Sequence, residues 1–264
     1  GGIDLSVAAV MAVTSVTAAR LMAGESEAFG ALVVVIVLLE GALLGAINGI
    51  LAVISRVPDI IVTLAMLFVW QGVALLILPS PGGGAAQWLR DLLVGSISLP
   101  ILPDAIARWV PKALILILVS LSIVWIPLQR ARLGLSIYAI GSSSLAAFRS
   151  GVSVAWTKIA SYTIAGLFAG AGGLCLTLST GIGAPIPGPY LLASVASVVL
   201  GGVALAGGKG GLLGPIIAVF ILRLVRSDLT LLAVDPNLAT IIEGTIMVLV
   251  VMLGAFIGMR SNRA

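Results

Sequence analysis

The sequence is poor in residues that support catalysis or a soluble surface. It has no histidine and a single cysteine, Cys175, among 264 residues. Histidine-dependent metal binding and proton relay are therefore excluded, and no disulfide can form within the chain. Charged residues make up only 9% of the chain, against about 25% in an ordinary soluble domain. The net charge of +4 is small and spread out, so it indicates no nucleic-acid partner.

Apolar residues dominate instead. They make up 60% of the chain, and the mean hydropathy is +1.25. Segments of about 20 residues rich in Leu, Val, Ile and Ala are typical of membrane-spanning helices. We therefore predict an all-α, polytopic helical protein embedded in the lipid bilayer. The eight candidate spans are Leu5–Met22, Phe29–Ile54, Ile60–Leu78, Ala113–Leu128, Trp156–Thr180, Leu191–Leu205, Leu212–Leu224 and Leu238–Ile257.

The sixth and seventh candidate spans are short, and the glycine-rich stretch Gly207–Gly211 separates them. Short segments interrupted by glycine are typical of broken or re-entrant helices. Such helices are tolerated where protein or a cavity covers the backbone.

A basic stretch between two apolar segments indicates the orientation of the chain. Lys and Arg in short loops mark the cytoplasmic side of a membrane. Residues 130–158 are therefore predicted to form a cytoplasmic loop, and counting spans outward makes residues 79–112 the largest external loop. The cytoplasmic stretch has no acidic residue, and its basic residues are Arg130, Arg132, Arg149 and Lys158.

The middle of that loop, Ser142–Ser150, is predicted to form a short helix. Ser142, Ser143 and Ser144 offer hydroxyls for an N-cap, and Gly151 is typical of a helix stop. Two interpretations remain open from these residues alone. The helix either docks into a groove on a soluble partner or is an ordinary helical connector.

Four polar residues are candidates for lining a translocation pathway. Asp4 and Ser6 follow two glycines, so they either cap a helix or mark a helix break whose end faces polar substrate groups. Asn48 and Thr63 lie on neighbouring spans. Thr63 alternatively bonds only its own backbone.

Two carboxylates lie within predicted spans. Glu40 and Glu243 are costly at membrane depth and therefore face a bundle interior, a cavity or a partner. Each is either a transport residue or a structural hydrogen-bonding group.

Gly41, Gly45 and Gly49 share one face of the second span and form two overlapping GxxxG patterns. This face predicts close helix packing, either within the subunit or at a subunit interface.

No enzyme motif is present. The sequence has no Walker A motif, no nucleophile elbow and no metal-ligand cluster, so we predict a non-catalytic transport chain. Energy for active transport must then come from another chain or from an ion gradient.

Four motifs in the same order resemble the ribose/xylose/arabinose-type (monosaccharide) permeases of ABC importers, and they cover nearly the whole chain. They are GGIDLS (Gly1–Ser6), the Asn-Gly, Pro and Thr-Leu pattern of Gly45–Met66, YAIG…AA…SG from Tyr138 to Gly151, and GGVALAGGKGG (Gly201–Gly211). Relatives of this kind usually carry one or two spans before the first motif. We therefore expect an N-terminal span or two outside this chain.

The resemblance implies an importer assembly in the bacterial cytoplasmic (inner) membrane. Residues 1–264 then form a single permease domain in a homo- or heterodimer. Two ATPase subunits bind ATP and Mg²⁺, a periplasmic or extracellular protein delivers the sugar, and the permease needs no cofactor of its own. The resemblance also identifies the short helix as the coupling helix, formed by Ser143, Ser144, Leu145, Ala146, Ala147, Phe148, Arg149, Ser150 and Gly151.

Two other functions remain in view. One is an ABC permease for branched-chain amino acids or nucleosides, although the GGIDLS motif favours a sugar as the substrate. The other is an ion-coupled secondary transporter, which would need an ionisable midplane site, and Glu40 and Glu243 are its candidates.

Overall fold

The computed structural model describes residues 1–96, 110–186 and 188–261, and most of these residues lie in helices. β-Structure in the described ranges is limited to two isolated antiparallel bridges. The prediction of an all-α protein is confirmed. The helices are α1 (Val7–Met22), α2 (Phe29–Ser55), α3 (Asp59–Ile77), α4 (Gln87–Leu93), α5 (Lys112–Arg130), α6 (Arg132–Ser142), α7 (Ser144–Arg149), α8 (Val154–Thr180), α9 (Tyr190–Leu200), α10 (Leu213–Leu231) and α11 (Pro236–Ser261).

Every predicted span overlaps a helix. Within the described part of the chain, α2, α3, α5 and α8 are long and apolar enough to cross a membrane, while α1 and α9 are apolar but shorter. The sixth span was predicted to reach Leu205, but α9 ends at Leu200. The chain turns at Gly201, where its backbone packs directly against the start of α10. The contact is so close that a Cβ at Gly201 would lie 2.5 Å from the backbone of Gly214.

The helices group into two compact units, which we call the larger unit (residues 2–137 and 147–188) and the smaller unit (Gly1, residues 138–146 and residues 189–261). The single permease domain predicted from the sequence stays a prediction. In the larger unit α1 packs against α2, α3 and α8. Most side chains of α1 are small or β-branched, and Val10, Val13 and Val16 are fully buried.

The glycine face of α2 packs on α8 within the same unit. A Cβ at Gly41 or Gly45 would lie 2.9 Å from the Cα atom of Gly170 or Gly166, respectively. A Cβ at Gly49 would lie equally close, 2.9 Å, to the Cα atom of Ile159. The two backbones therefore touch, which confirms the prediction of close packing within the subunit.

Helix α5 contains a π-helical turn over Leu121–Trp125. Pro127, two residues after Trp125, explains this turn, because proline lacks an N–H and its ring displaces the carbonyl four residues earlier, that of Ile123.

In the smaller unit α9 packs against α10 and α11. The segment between α9 and α10 has no helix, and four of its glycines have positive φ angles: Gly202, Gly207, Gly208 and Gly210. The predicted glycine interruption between the sixth and seventh spans is therefore confirmed.

Candidate functional site

Helix α7 lies inside the segment predicted to form a short helix. Ser143 precedes it, and its Oγ accepts a hydrogen bond from the N–H of Ala146 at 3.3 Å. The helix ends where Gly151 adopts a φ of +84°, and the carbonyl of Ala147 accepts the N–H of Val152 at 3.0 Å. Local capping chemistry thus defines both ends of α7.

Two of the apolar side chains of α7 are exposed. Leu145 is 60% exposed and Phe148 67% exposed, whereas Ala147 is buried. Residues three positions apart share one face of a helix. This face is therefore suited to contact with an apolar surface of another protein.

Helix α6 was missed by the sequence prediction, which treated its residues as part of a loop. In the smaller unit its Tyr138 hydroxyl donates to the carbonyl of Gly210 at 2.7 Å. A Cβ at Gly141 would lie 3.0 Å from the Cα atom of Gly208. Ser142, predicted as a possible N-cap, instead donates to the carbonyl of Tyr138 within α6. The signal in the sequence was the Tyr and Gly of the YAIG motif.

The structure brings the four candidate pathway residues into one polar cluster. Asp4 Oδ1 accepts the N–H of Ser6 at 2.9 Å, which forms a turn, and α1 begins only after it at Val7. Asn48 Nδ2 donates to Ser6 Oγ at 2.6 Å. The side-chain oxygen of Asn48, Oδ1, accepts a hydrogen bond from Trp70 Nε1 at 3.0 Å. The sequence prediction missed Trp70.

Thr63 completes this cluster from α3. Its Oγ1 accepts the N–H of Leu5 at 3.1 Å and lies 3.0 Å from the carbonyls of both Ile3 and Asp59. Thr63 therefore bonds its own helix and also the turn that precedes α1. Ser6, Asn48 and Thr63 are fully buried in the chain. The cluster fixes the start of α1, and its role in translocation stays a prediction.

We expect Asn48→Ala to destabilise the larger unit by about 1–3 kcal/mol, because the Trp70 N–H would then be buried without its acceptor. The measurement is the thermal unfolding midpoint of the purified protein. Asn237→Ala, at an exposed asparagine, is the control. An unchanged midpoint in Asn48→Ala would contradict a stabilising role for the cluster.

The two carboxylates in the spans have different surroundings. Thr17 Oγ1 donates to Glu40 Oε1 at 3.0 Å, and Glu40 Oε2 is buried with no hydrogen-bond partner among the described residues. Glu243 pairs with Arg226 at 2.5 Å, with Glu243 mostly buried. This ion pair favours the structural interpretation of Glu243.

Apolar helices long enough to cross a membrane, with the short capped helix α7 between two of them, are typical of membrane transport proteins. Within the described part of the chain, no group of Cys, Asp and Glu side chains could hold a metal ion. The comparisons with known proteins give the family. Residues 1–251 match the family described as "Branched-chain amino acid transport system / permease component", and the chain belongs to this family.

Named relatives cover almost the whole chain. It is 32% identical to the ribose import permease protein RbsC of Escherichia coli (strain K12), over 95% of this chain and 76% of that protein. It is 29% identical to the D-allose transport system permease protein AlsC of the same strain, over 97% and 76%. It is 27% identical to the autoinducer 2 import system permease protein LsrD of Escherichia coli O9:H4, over 95% and 75%. No solved structure matches the chain.

These matches confirm the resemblance drawn from the four motifs. The chain is a non-catalytic, multi-pass permease subunit of an ABC importer in the bacterial cytoplasmic membrane. A permease of this class works with a separate ATPase subunit and a substrate-binding protein.

Proposed function

We propose that this chain forms the translocation path for a monosaccharide that a binding protein delivers from outside. Two permease subunits, identical or related, enclose the path, and two ATPase subunits dock on the cytoplasmic side. ATP and Mg²⁺ bind to those ATPases, so the permease itself needs no cofactor. ATP binding closes the ATPase pair, α7 moves with it, and the spans change the side on which the path is open.

The observation that carries this proposal is the exposed apolar face of α7. A six-residue helix with a serine cap and a glycine stop holds Phe148 and Leu145 outward. Phe148 and Leu145 share one face of this cytoplasmic helix, so a groove on the ATPase could bury both side chains together.

The substrate class rests on the relatives. The names of the relatives described above refer to ribose, D-allose and autoinducer 2, whereas the family description names branched-chain amino acids. Two of these names are sugars, which favours a monosaccharide. Along the path we assign polar contacts to Asp4, Ser6, Asn48 and Thr63.

The test is to co-purify the chain with its ATPase and to reconstitute the complex in liposomes with a sugar-binding protein. We expect the ribose-loaded binding protein to stimulate ATP hydrolysis and uptake. Leucine and a nucleoside, each with its own binding protein, are the controls. Uptake that follows an ion gradient without ATP would contradict the proposal and direct attention to Glu40.

A further inference from the structure

An ion pair in the larger unit joins the beginnings of two helices. Lys158 Nζ lies 3.0 Å from both carboxylate oxygens of Asp59. Asp59 is the first residue of α3, and Lys158 lies in the second turn of α8. The Asp59 side chain is only 12% exposed. The Lys158 side chain is 33% exposed, so water screens this pair less than it screens a fully exposed ion pair.

The connection between α7 and α8 is short, and hydrogen bonds hold both of its ends. The carbonyl of Phe148 accepts the N–H of Gly151 at 3.0 Å, and that of Ala147 accepts the N–H of Val152 at 3.0 Å. Ser153 Oγ then accepts the N–H of Trp156, which caps α8. Only the peptide bond between Val152 and Ser153 separates the hydrogen-bonded end of α7 from the capped first turn of α8, so a displacement of α7 is passed directly to the start of α8.

On its other side, the ion pair touches the turn that precedes α1. A Cβ at Gly2 would lie 3.1 Å from the Tyr162 hydroxyl oxygen and 3.4 Å from Asp59 Cγ. One turn further along α3, Thr63 holds Ile3 and Leu5, as described above. A side chain at residue 2 would therefore have to displace the Asp59 carboxylate and the Tyr162 hydroxyl.

We propose that the Asp59–Lys158 ion pair is a positioning element that carries the movement of α7 to the Gly2–Ser6 turn. The inference rests on the proposed function, since it assumes that α7 moves when the ATPase subunits close on ATP. Lys158 moves with α8, the ion pair keeps α3 with it, and the turn packed on Asp59 follows. Packed side chains and ion pairs that have two discrete arrangements are among the contacts that carry coupling between distant sites.

The test uses the complete complex of permease, ATPase and binding protein, and its readout is sugar transported per ATP hydrolysed. We expect Lys158→Met to lower this ratio roughly tenfold, within the range by which residues between two sites alter coupling. Basal ATP hydrolysis and assembly with the ATPase should stay unchanged. Lys158→Arg, which keeps the charge, should retain at least half of the wild-type ratio.

A double variant separates coupling from stability. Asp59→Asn combined with Lys158→Met leaves no buried unpaired charge, so its thermal midpoint should return toward that of the wild type. The transport ratio should nevertheless stay low. Recovery of the ratio in the double variant would overturn the proposal, because the ion pair would then be only structural. Asp91→Asn, at an exposed carboxylate on α4, is the control.

Failure of the proposed function gives a different result. In that case the wild-type complex itself would not hydrolyse ATP in response to the sugar-loaded binding protein. Both proposals would then fall together. If the wild-type complex and the double variant transported the same amount of sugar per ATP hydrolysed, only the role of the ion pair would be overturned.

Discussion

Replacing Phe148 with aspartate is expected to lower ATP hydrolysis stimulated by the binding protein at least about tenfold, because desolvating an unpaired carboxylate in an apolar contact costs several kcal/mol. Phe148 is 67% exposed in the isolated chain, so the substitution has little effect on folding. The damage should be confined to the contact with the ATPase. The measurement combines stimulated ATP hydrolysis in liposomes with the amount of ATPase that co-purifies with the permease.

A matched control exists in the predicted external loop. Leu92 on α4 is 64% exposed, nearly as much as Phe148, and Leu92→Asp introduces the same charge. We expect this variant to keep stimulated ATP hydrolysis. If Phe148→Asp hydrolysed ATP like the wild type, α7 would be a connector, and the ATPase would dock elsewhere. Equal losses in both variants would indicate a general effect of the added charge.

Local chemistry explains why the spans and α7 could be predicted from the sequence. A span is defined by a run of apolar residues, and α7 by Ser143 at one end and Gly151 at the other. These signals depend on neighbours in the chain, so no tertiary contact is needed to detect them. The same holds for the glycine face of α2, whose spacing alone predicts a close helix contact.

The contacts between distant residues could not be predicted in the same way. Trp70 meets Asn48 across 22 positions, and Lys158 meets Asp59 across 99 positions. Nothing in the local pattern around Lys158 distinguishes it from a basic residue that only marks the cytoplasmic side. Helix α6 was missed for a related reason: two glycines lower its helix propensity, and the packing of Gly141 on Gly208 compensates.

The second large effect is expected at the crossing of α2 and α8. Gly45 lies where the two backbones touch, since a Cβ there would be 2.9 Å from the Cα atom of Gly166. Gly166 also has no room for a side chain, because a Cβ there would lie 2.7 Å from the Cα atom of Gly45. A backbone cannot rotate away as a side chain can. Gly45→Leu must therefore push the helices apart along their whole contact.

We expect Gly45→Leu to cost about 3 kcal/mol or more, at the upper end of overpacking effects, because both contacting groups are backbone. The measurement is the thermal unfolding midpoint and the yield of folded protein from the membrane. Gly72→Leu is the control, since a Cβ at this exposed glycine of α3 meets nothing within 4 Å. It adds the same side chain to a helix and should be neutral or slightly stabilising. Equal midpoints for the two variants would show that α2 and α8 do not pack this closely in the membrane.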